Sequence, residues 1–359
     1  MVSALVSVFI LGLLVIVHEL GHFVVARRSG VKILRFSIGF GPRLFRWTRG
    51  ETEYAVSAIP LGGYVKMAGE QETEQSQQPW EYLSKSIGTR ATIVFAGPFV
   101  NYLVALVSLW VVFVIGYPEL LPIVGNAVEG TPAHAAGLQS GDRIQSVDGR
   151  PMGSWDEMTQ LIHASPGRSL AFVIERGTES TTMTITPEPK ASQDPFGRSK
   201  MIGLIGISPS GAFHSTRVGP LTAVGRTFRQ QNEWTGQTMM ALWSMMTGKL
   251  SMRDSVTGPI GIIYLTSEAM RMGVAPLLFL VSLFSLSLAI FNLFPVPILD
   301  GGHLFFLALE KLRGRPVSMN VQERAAQVGF CMLIALVVVV CVNDVNRFGL
   351  FEKLFRWIK

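Results

Sequence analysis

The chain has 359 residues, of which 48% are hydrophobic and only 16% charged, against about 25% charged in an ordinary soluble domain; a soluble globular protein is excluded and a membrane protein implied. The net charge of +6 does not point to nucleic acid, because the basic residues cluster beside apolar segments, where they set membrane topology. The two cysteines, Cys331 and Cys341, are too few for a disulfide scaffold or a thiolate zinc site and are expected to pack in a core.

Four segments are long and apolar enough to span a bilayer: Val2 to Ala26, Ala91 to Gly116, Val274 to Asn292, and Ala325 to Val345, each near the roughly 20 residues a span requires. The first has no basic residue before it and no small-residue cleavage site after it, so it reads as a retained span and not a signal peptide. It carries His18-Glu19-Leu20-Gly21-His22 near its end. On a helix, His18 and His22 share one face and can reach one metal ion, while Glu19 beside them is placed to take a proton from water. A single ionisable group at the centre of a span costs roughly 2.5–3.5 kcal/mol. Three polar groups within five residues need a compensating role, and zinc supplies one.

A basic block follows, with Arg27, Arg28, Lys32, Arg35, Arg43, Arg46 and Arg49; Lys311, Arg313, Arg315 and Arg324 lie between the last two spans. Both connections read as cytoplasmic, which puts the long 117–273 region and both termini on the other side. Counting at 1.5 Å per residue, His18 lies about 24 Å along the first helix and about 13 Å below the cytoplasmic interface. Water must reach it through a polar cavity. Between the first two spans, residues 36–42, 54–60 and 62–67 look like short strands punctuated by Gly and Pro, a small sheet dipping into the membrane surface.

Residues 122–208 are β-patterned, with strands at 171–176 and 181–186 and a helix over 156–164. The run Gly137-Leu138-Gln139-Ser140-Gly141-Asp142-Arg143-Ile144, followed by Val147-Asp148-Gly149, resembles the signature of bacterial PDZ domains. Such a domain implies a groove that adds a peptide to a sheet edge, or a gate that shields the membrane site. Residues 221–250 are amphipathic and read either as a helix on the outer membrane surface or as one packed on the PDZ module.

A catalytic zinc takes three protein ligands. Asp300, in Leu299-Asp300-Gly301-Gly302, follows an apolar span that arrives at the cytoplasmic side, where His18 and His22 are expected. Pro295 and Pro297 break the helix and the glycines permit tight backbone, so the carboxylate can turn inward. His303 competes as a ligand, with an outer or interfacial role favoured. Asn292 could donate to a substrate carbonyl or cap freed backbone carbonyls. Asn101, after Gly97-Pro98, reads as a helix-packing polar group.

Taken together, the His18–His22 motif, Gly39-Phe40-Gly41, the PDZ signature, and Asn292 through Asp300-Gly301 resemble the bacterial site-2 proteases of the regulator-of-sigma-E protease type. The resemblance covers nearly the whole chain, with one PDZ domain where many members carry two. It implies a polytopic α-helical membrane protein with about four transmembrane helices, a membrane-associated β element and one extracytoplasmic PDZ (α+β) domain. The expected divisions are 1–27, 28–90, 91–117, 118–210, 211–273, 274–312 and 313–359. It implies an intramembrane zinc metalloendopeptidase with His18, His22 and Asp300 on Zn2+, Glu19 catalytic, and Asn292, Gly39 and Gly41 toward substrate. Expected partners are single-span transmembrane proteins, such as anti-sigma factors or signal-peptide remnants, the lipid bilayer, and a peptide in the PDZ groove, with no nucleic acid. The expected location is the bacterial inner membrane, with the PDZ domain periplasmic and the site near the cytoplasm. Two rivals are a metal-ion transporter, which predicts inverted repeats that are not seen, and a non-catalytic PDZ-bearing scaffold.

Overall fold

In hydrocarbon, backbone groups must satisfy one another, so long apolar runs become helices. The computed structural model describes residues 2–70, 76–193, 199–250 and 257–347. The chain begins with α1 (Val2–Arg28), β1 (Ile33–Arg49), β2 (Thr52–Met67) and α2 (Ile87–Ile115). A stretch of short elements follows: β3 (Tyr117–Leu120), β4 (Val124–Ala127), α3 (Pro132–Ala135), β5 (Arg143–Val147), β6 (Arg150–Pro151) and α4 (Trp155–His163). It continues through β7 (Leu170–Arg176), β8 (Glu179–Ile185), β9 (Glu188–Gln193), β10 (Ser199–Leu204), β11 (Ile207–Pro209) and β12 (Phe213–Thr216). Five helices complete the described chain: α5 (Pro220–Met246), α6 (Pro259–Met272), α7 (Val274–Asn292), α8 (Asp300–Arg313) and α9 (Met319–Arg347). Among the described residues, four helices, α1, α2, α7 and α9, are long and apolar enough to cross a membrane. The protein is a multi-pass membrane protein.

The described residues divide into two units: 2–112, 224–239 and 257–347 form one, and 113–223 with 240–250 the other. In the first, α1 and α2 meet backbone to backbone, since a Cβ on Gly21 would lie 2.5 Å from the Ala96 carbonyl oxygen. Small residues permit such crossings where lipid offers no hydrophobic drive. Ser282 and Ser285 donate to the Ala105 and Asn101 carbonyls at 2.8 and 2.7 Å, pinning α7 to α2. Asp344 on α9 accepts from the N–H groups of Gly258, Ile260 and Gly261 at 3.0–3.1 Å and so caps α6.

The three short strands read from sequence are two long, bulged ones. Residues 33–38 lie between 63–67 on one side and 53–56 on the other, and 53–56 also face 45–48. Gly39 and Gly41 have φ of +88° and +85°, which lets the chain bend where β1 changes partners. Phe23, Ala26, Val31, Ile33, Phe36, Met67 and Ile93 form the core that fastens this sheet to α1 and α2. Phe40, Leu44, Phe45, Trp47 and Ile59 remain exposed.

Neither placement read for residues 221–250 names the partners that α5 takes, which are α2 and α7. Its middle is docked: Gln231 is fully buried and donates to the Tyr102 carbonyl at 3.2 Å, and Trp234 meets Phe279 edge to face at 5.3 Å. Val224, Phe228 and Met239 of the same helix stay exposed. One expectation fails. Cys331 is exposed and Cys341 half-buried, because most of the apolar surface of α9 faces outward and has no protein core to enter.

In the second unit, a four-stranded sheet runs β6-β5-β7-β8. Ile144, Val147, Leu170, Phe172, Ile174 and Ile185 alternate inward against Met158 and Ile162 of α4. Ser154 caps α4, its hydroxyl accepting from the Glu157 N–H at 3.3 Å. Asp142 is fully buried and accepts from Arg176 at 2.7 and 2.8 Å and from the Gln139 N–H at 2.8 Å. Burial alone would raise this carboxyl, but those donors outweigh it and hold it below the usual carboxylate range. A depressed acid stabilises fully above its ordinary range and loses that contribution as pH falls through the depressed value. Replacing Asp142 with Asn should therefore weaken protection of β5 and β7 by about 1.5–3 kcal/mol at neutral pH and flatten its decline in acid. Hydrogen exchange on the full-length protein in detergent, corrected for intrinsic rates, measures both.

Candidate metal centre

His18 and His22 project from one face of α1, both buried, with their Nε2 atoms 3.1 Å apart and their rings edge to face at 4.8 Å. Asp300 opens α8, and its Oδ2 lies 3.0 Å from His18 Nε2 and 3.5 Å from His22 Nε2. These residues offer three ligand atoms within 4.8 Å of one another. Gly301 and Gly302 make the turn possible, since a Cβ on either would lie 2.2 or 2.4 Å from the carbonyl oxygens of Phe294 or Val296.

The hydrogen-bond pattern shows what the cluster is for. His22 Nδ1 lies 2.9 Å from the Ile93 carbonyl. A carbonyl only accepts, so Nδ1 carries the proton and Nε2 presents a lone pair. Asp300 Oδ2 stands close to both imidazoles, yet it is buried and receives no properly directed hydrogen bond. Lone pairs of like polarity converging in a buried place repel unless a cation lies among them. The residues thus fit a zinc ion, which takes imidazole nitrogen and carboxylate oxygen as ligands.

Asn101 corrects the sequence reading. It is not only a packing group: it is fully buried, and its side-chain amide lies 3.4 Å from His18 Nδ1. Its Oδ1 has no partner. Exchanging the amide O and N, which are isosteric, brings that oxygen to His18 Nδ1, where it would orient His18 as the Ile93 carbonyl orients His22. Gly97 is the second residue that sequence reasoning missed. A Cβ there would lie 2.4 Å from His22 Nε2 and 2.7 Å from His18 Nε2. The signal available was the Gly97-Pro98-x-x-Asn101 run inside an apolar span.

Glu19 lies beside the histidines, and the backbone N–H of Val65 in β2 hydrogen-bonds to it. A Cβ on Gly63 would come 3.5 Å from Glu19 Cγ. The site opens into a cavity of about 290 Å3 whose wall includes His303, Glu70, Tyr82, Arg90, Glu310 and Gln322. Burial pushes the Tyr82 phenol well above its usual range, so it stays protonated there. His303 lines the cavity but is outside the ligand cluster. Asn292 ends α7, and neither it nor Gly39 and Gly41 lines the cavity.

Comparison with known proteins now bears on this geometry. The model of peptidase family M50 matches residues 6–336, and the chain belongs to that family. A Rhizobium meliloti (strain 1021) protein named as a zinc metalloprotease is 38% identical over 94% of this chain and 95% of its own. The regulator of sigma-E protease RseP of Escherichia coli (strain K12) is 34% identical over 94% of this chain and 97% of its own. The PDZ domain of an SdrC-like protein from Listeria monocytogenes is 25% identical over 24% of this chain and 84% of its own, with a TM-score of 0.20. The chain is an intramembrane zinc metalloprotease, and the transporter and scaffold readings are not favoured.

Gly97→Ala should displace both imidazoles and abolish stable zinc binding. Asn101→Ala should lower zinc affinity by about 10- to 100-fold. Metal content after dialysis against graded chelator measures each.

Proposed function

We propose that this protein hydrolyses a peptide bond within the transmembrane segment of single-span membrane proteins, with His18, His22 and Asp300 holding zinc and Glu19 as the catalytic base. The observation that carries this reading is the position of residues 63–67. They pair with β1 on one side only, no other described strand meets their second side, and Glu19 lies against them.

A helical substrate has its carbonyls in internal hydrogen bonds and must unwind before attack. Strand addition along 63–67 replaces those bonds with bonds to this backbone and brings an extended segment past Glu19. When bound, zinc supplies Lewis-acid polarisation of the scissile carbonyl and acidifies water. Glu19 accepts the proton of the attacking water and returns it to the leaving nitrogen. Hydrogen bonds at His22 Nδ1 and His18 Nδ1 keep both Nε2 lone pairs aimed inward. The cavity admits water from the cytoplasmic side, the one that the basic blocks around 27–49 and 311–324 assign to it.

Asn292 and the Gly39–Gly41 bend engage substrate outside the cavity, Asn292 by donating to a backbone carbonyl. The enzyme belongs to the bacterial inner membrane, with the 118–210 module on the periplasmic face and able to take a peptide in a PDZ groove. Anti-sigma factors and signal-peptide remnants have the required single span, and the Escherichia coli relative is named for regulating sigma-E.

The test is co-expression with a tagged single-span substrate, comparing wild type with Glu19→Gln and quantifying zinc in both purified proteins. Glu19→Gln should keep its zinc and lose at least about 100-fold in cleavage. Undiminished cleavage by the variant would remove Glu19 from the chemistry.

A further inference from the structure

Away from the three ligand atoms, the cavity wall holds a buried ion pair that the chemistry above does not use. Arg90 lies in the first turn of α2, and Glu310 is on α8, the helix that Asp300 opens. Arg90 Nη2 is 2.5 Å from Glu310 Oε1 and Nη1 is 3.2 Å from Oε2, with side chains only 9% and 15% exposed. The Arg90 Nε is buried without a partner. The pair joins residues 220 apart in the chain.

Stability alone does not explain it. Two apolar side chains of similar volume would hold a pair of helices as well or better, because both charges lose their hydration. What a planar fork on a carboxylate adds is geometry: two parallel bonds fix both the sliding and the rotation of one helix against the other. Here each helix carries part of the metal centre. From α2, the Ile93 carbonyl orients His22, Gly97 makes room for both rings and Asn101 reaches His18. From α8 comes Asp300. Ile93 is one turn from Arg90, and Asp300 and Glu310 belong to one unbroken helix, so a slip between the helices at one end is a slip of the ligand at the other.

We propose that Arg90 and Glu310 are positioning residues for the metal ligands: their bidentate pair sets the register of α8 against α2 and so holds Asp300 Oδ2 where the two imidazole nitrogens meet it. The proposal rests on the assignment of His18, His22 and Asp300 as the zinc site. It predicts that loosening the pair degrades the metal site even where the fold survives.

The experiment uses the full-length protein in detergent. Zinc affinity is measured by chelator competition, and the d–d absorption of the cobalt(II)-loaded protein reports ligand geometry. Glu310→Gln and Arg90→Lys keep size and polarity but lose the fork. Both should bind zinc about 10- to 100-fold more weakly, shift the cobalt spectrum and lower kcat on a single-span substrate at nearly constant KM. Wild-type zinc affinity and an unchanged spectrum in both variants would overturn the proposal. If either single variant fails to fold, the paired replacement Arg90→Met with Glu310→Met restores packing without charge. Weakened zinc binding in the pair supports a positioning role, whereas wild-type affinity shows a purely structural one and overturns it. His22→Phe is the control: loss of zinc there upholds the site itself, and retention would sink the site and the clasp together.

Discussion

Two lone pairs and a carboxylate oxygen aimed at one buried point set the terms for the rest of the membrane unit. His22 is protonated on Nδ1 because it faces a carbonyl, and Asp300 Oδ2 is enclosed without a directed donor. Left to itself this arrangement is repulsive and carries the full cost of buried, unsatisfied polar atoms. A divalent cation reverses the sign of every one of those interactions. The same groups that would destabilise a metal-free bundle then hold it together, because the ligands come from opposite ends of the chain. A metal held by His18, His22 and Asp300 would couple its own binding to the docking of α8 against α1.

That constraint propagates outward as a demand for space. Two imidazoles cannot stand side by side between α1 and α2 unless the facing helix withdraws its side chains. Gly97 does so directly over the rings, and Gly21 lets the backbones approach at Ala96. Pro98 follows at once, where it removes a backbone donor from α2. Asn101 fills the next turn with the amide that His18 requires. The serines of α7 on the Ala105 and Asn101 carbonyls are likewise satisfied internally, as hydrocarbon surroundings require.

The parts of this arrangement visible in the sequence are those that local chemistry dictates. An i, i+4 histidine pair with an adjacent glutamate has few uses inside an apolar helix, and Leu299-Asp300-Gly301-Gly302 after a proline-broken span marks a carboxylate meant to turn inward. Hydropathy suffices for the four spans because lipid leaves no alternative to helix. Three features were harder to see. Asn101 looked like packing because its role depends on which residue of a helix 83 positions away lies opposite. The sheet looked like three short strands because Pro60 and Gly62 read as a break between 54–60 and 62–67, whereas the backbone runs on through Gly62, at a φ of +119°, as one long strand. The outward-facing cysteines were misjudged for a simpler reason. In a membrane protein an apolar residue need not enter a core, so hydrophobicity alone does not say which face of α9 meets protein.

The location of Glu19 joins the two halves of the problem an intramembrane protease must solve. A base that works on water has to be wet, yet the bond to be cleaved arrives in a dry helix whose carbonyl is already hydrogen-bonded. Glu19 touches both sides of that divide. One side is the polar cavity shared with Arg90, Glu310 and Gln322; the other is the Val65 N–H on the open side of the sheet. Irregular or extended backbone is tolerated at membrane depth only where protein or water satisfies it, and along 63–67 the Val65 and Met67 N–H groups meet the carboxylates of Glu19 and Glu70. The β element therefore does more than support α1. Its 63–67 edge lies against two carboxylates that line the cavity: Glu19 at Val65, beside the histidines, and Glu70, which accepts from the Met67 N–H at 3.3 Å.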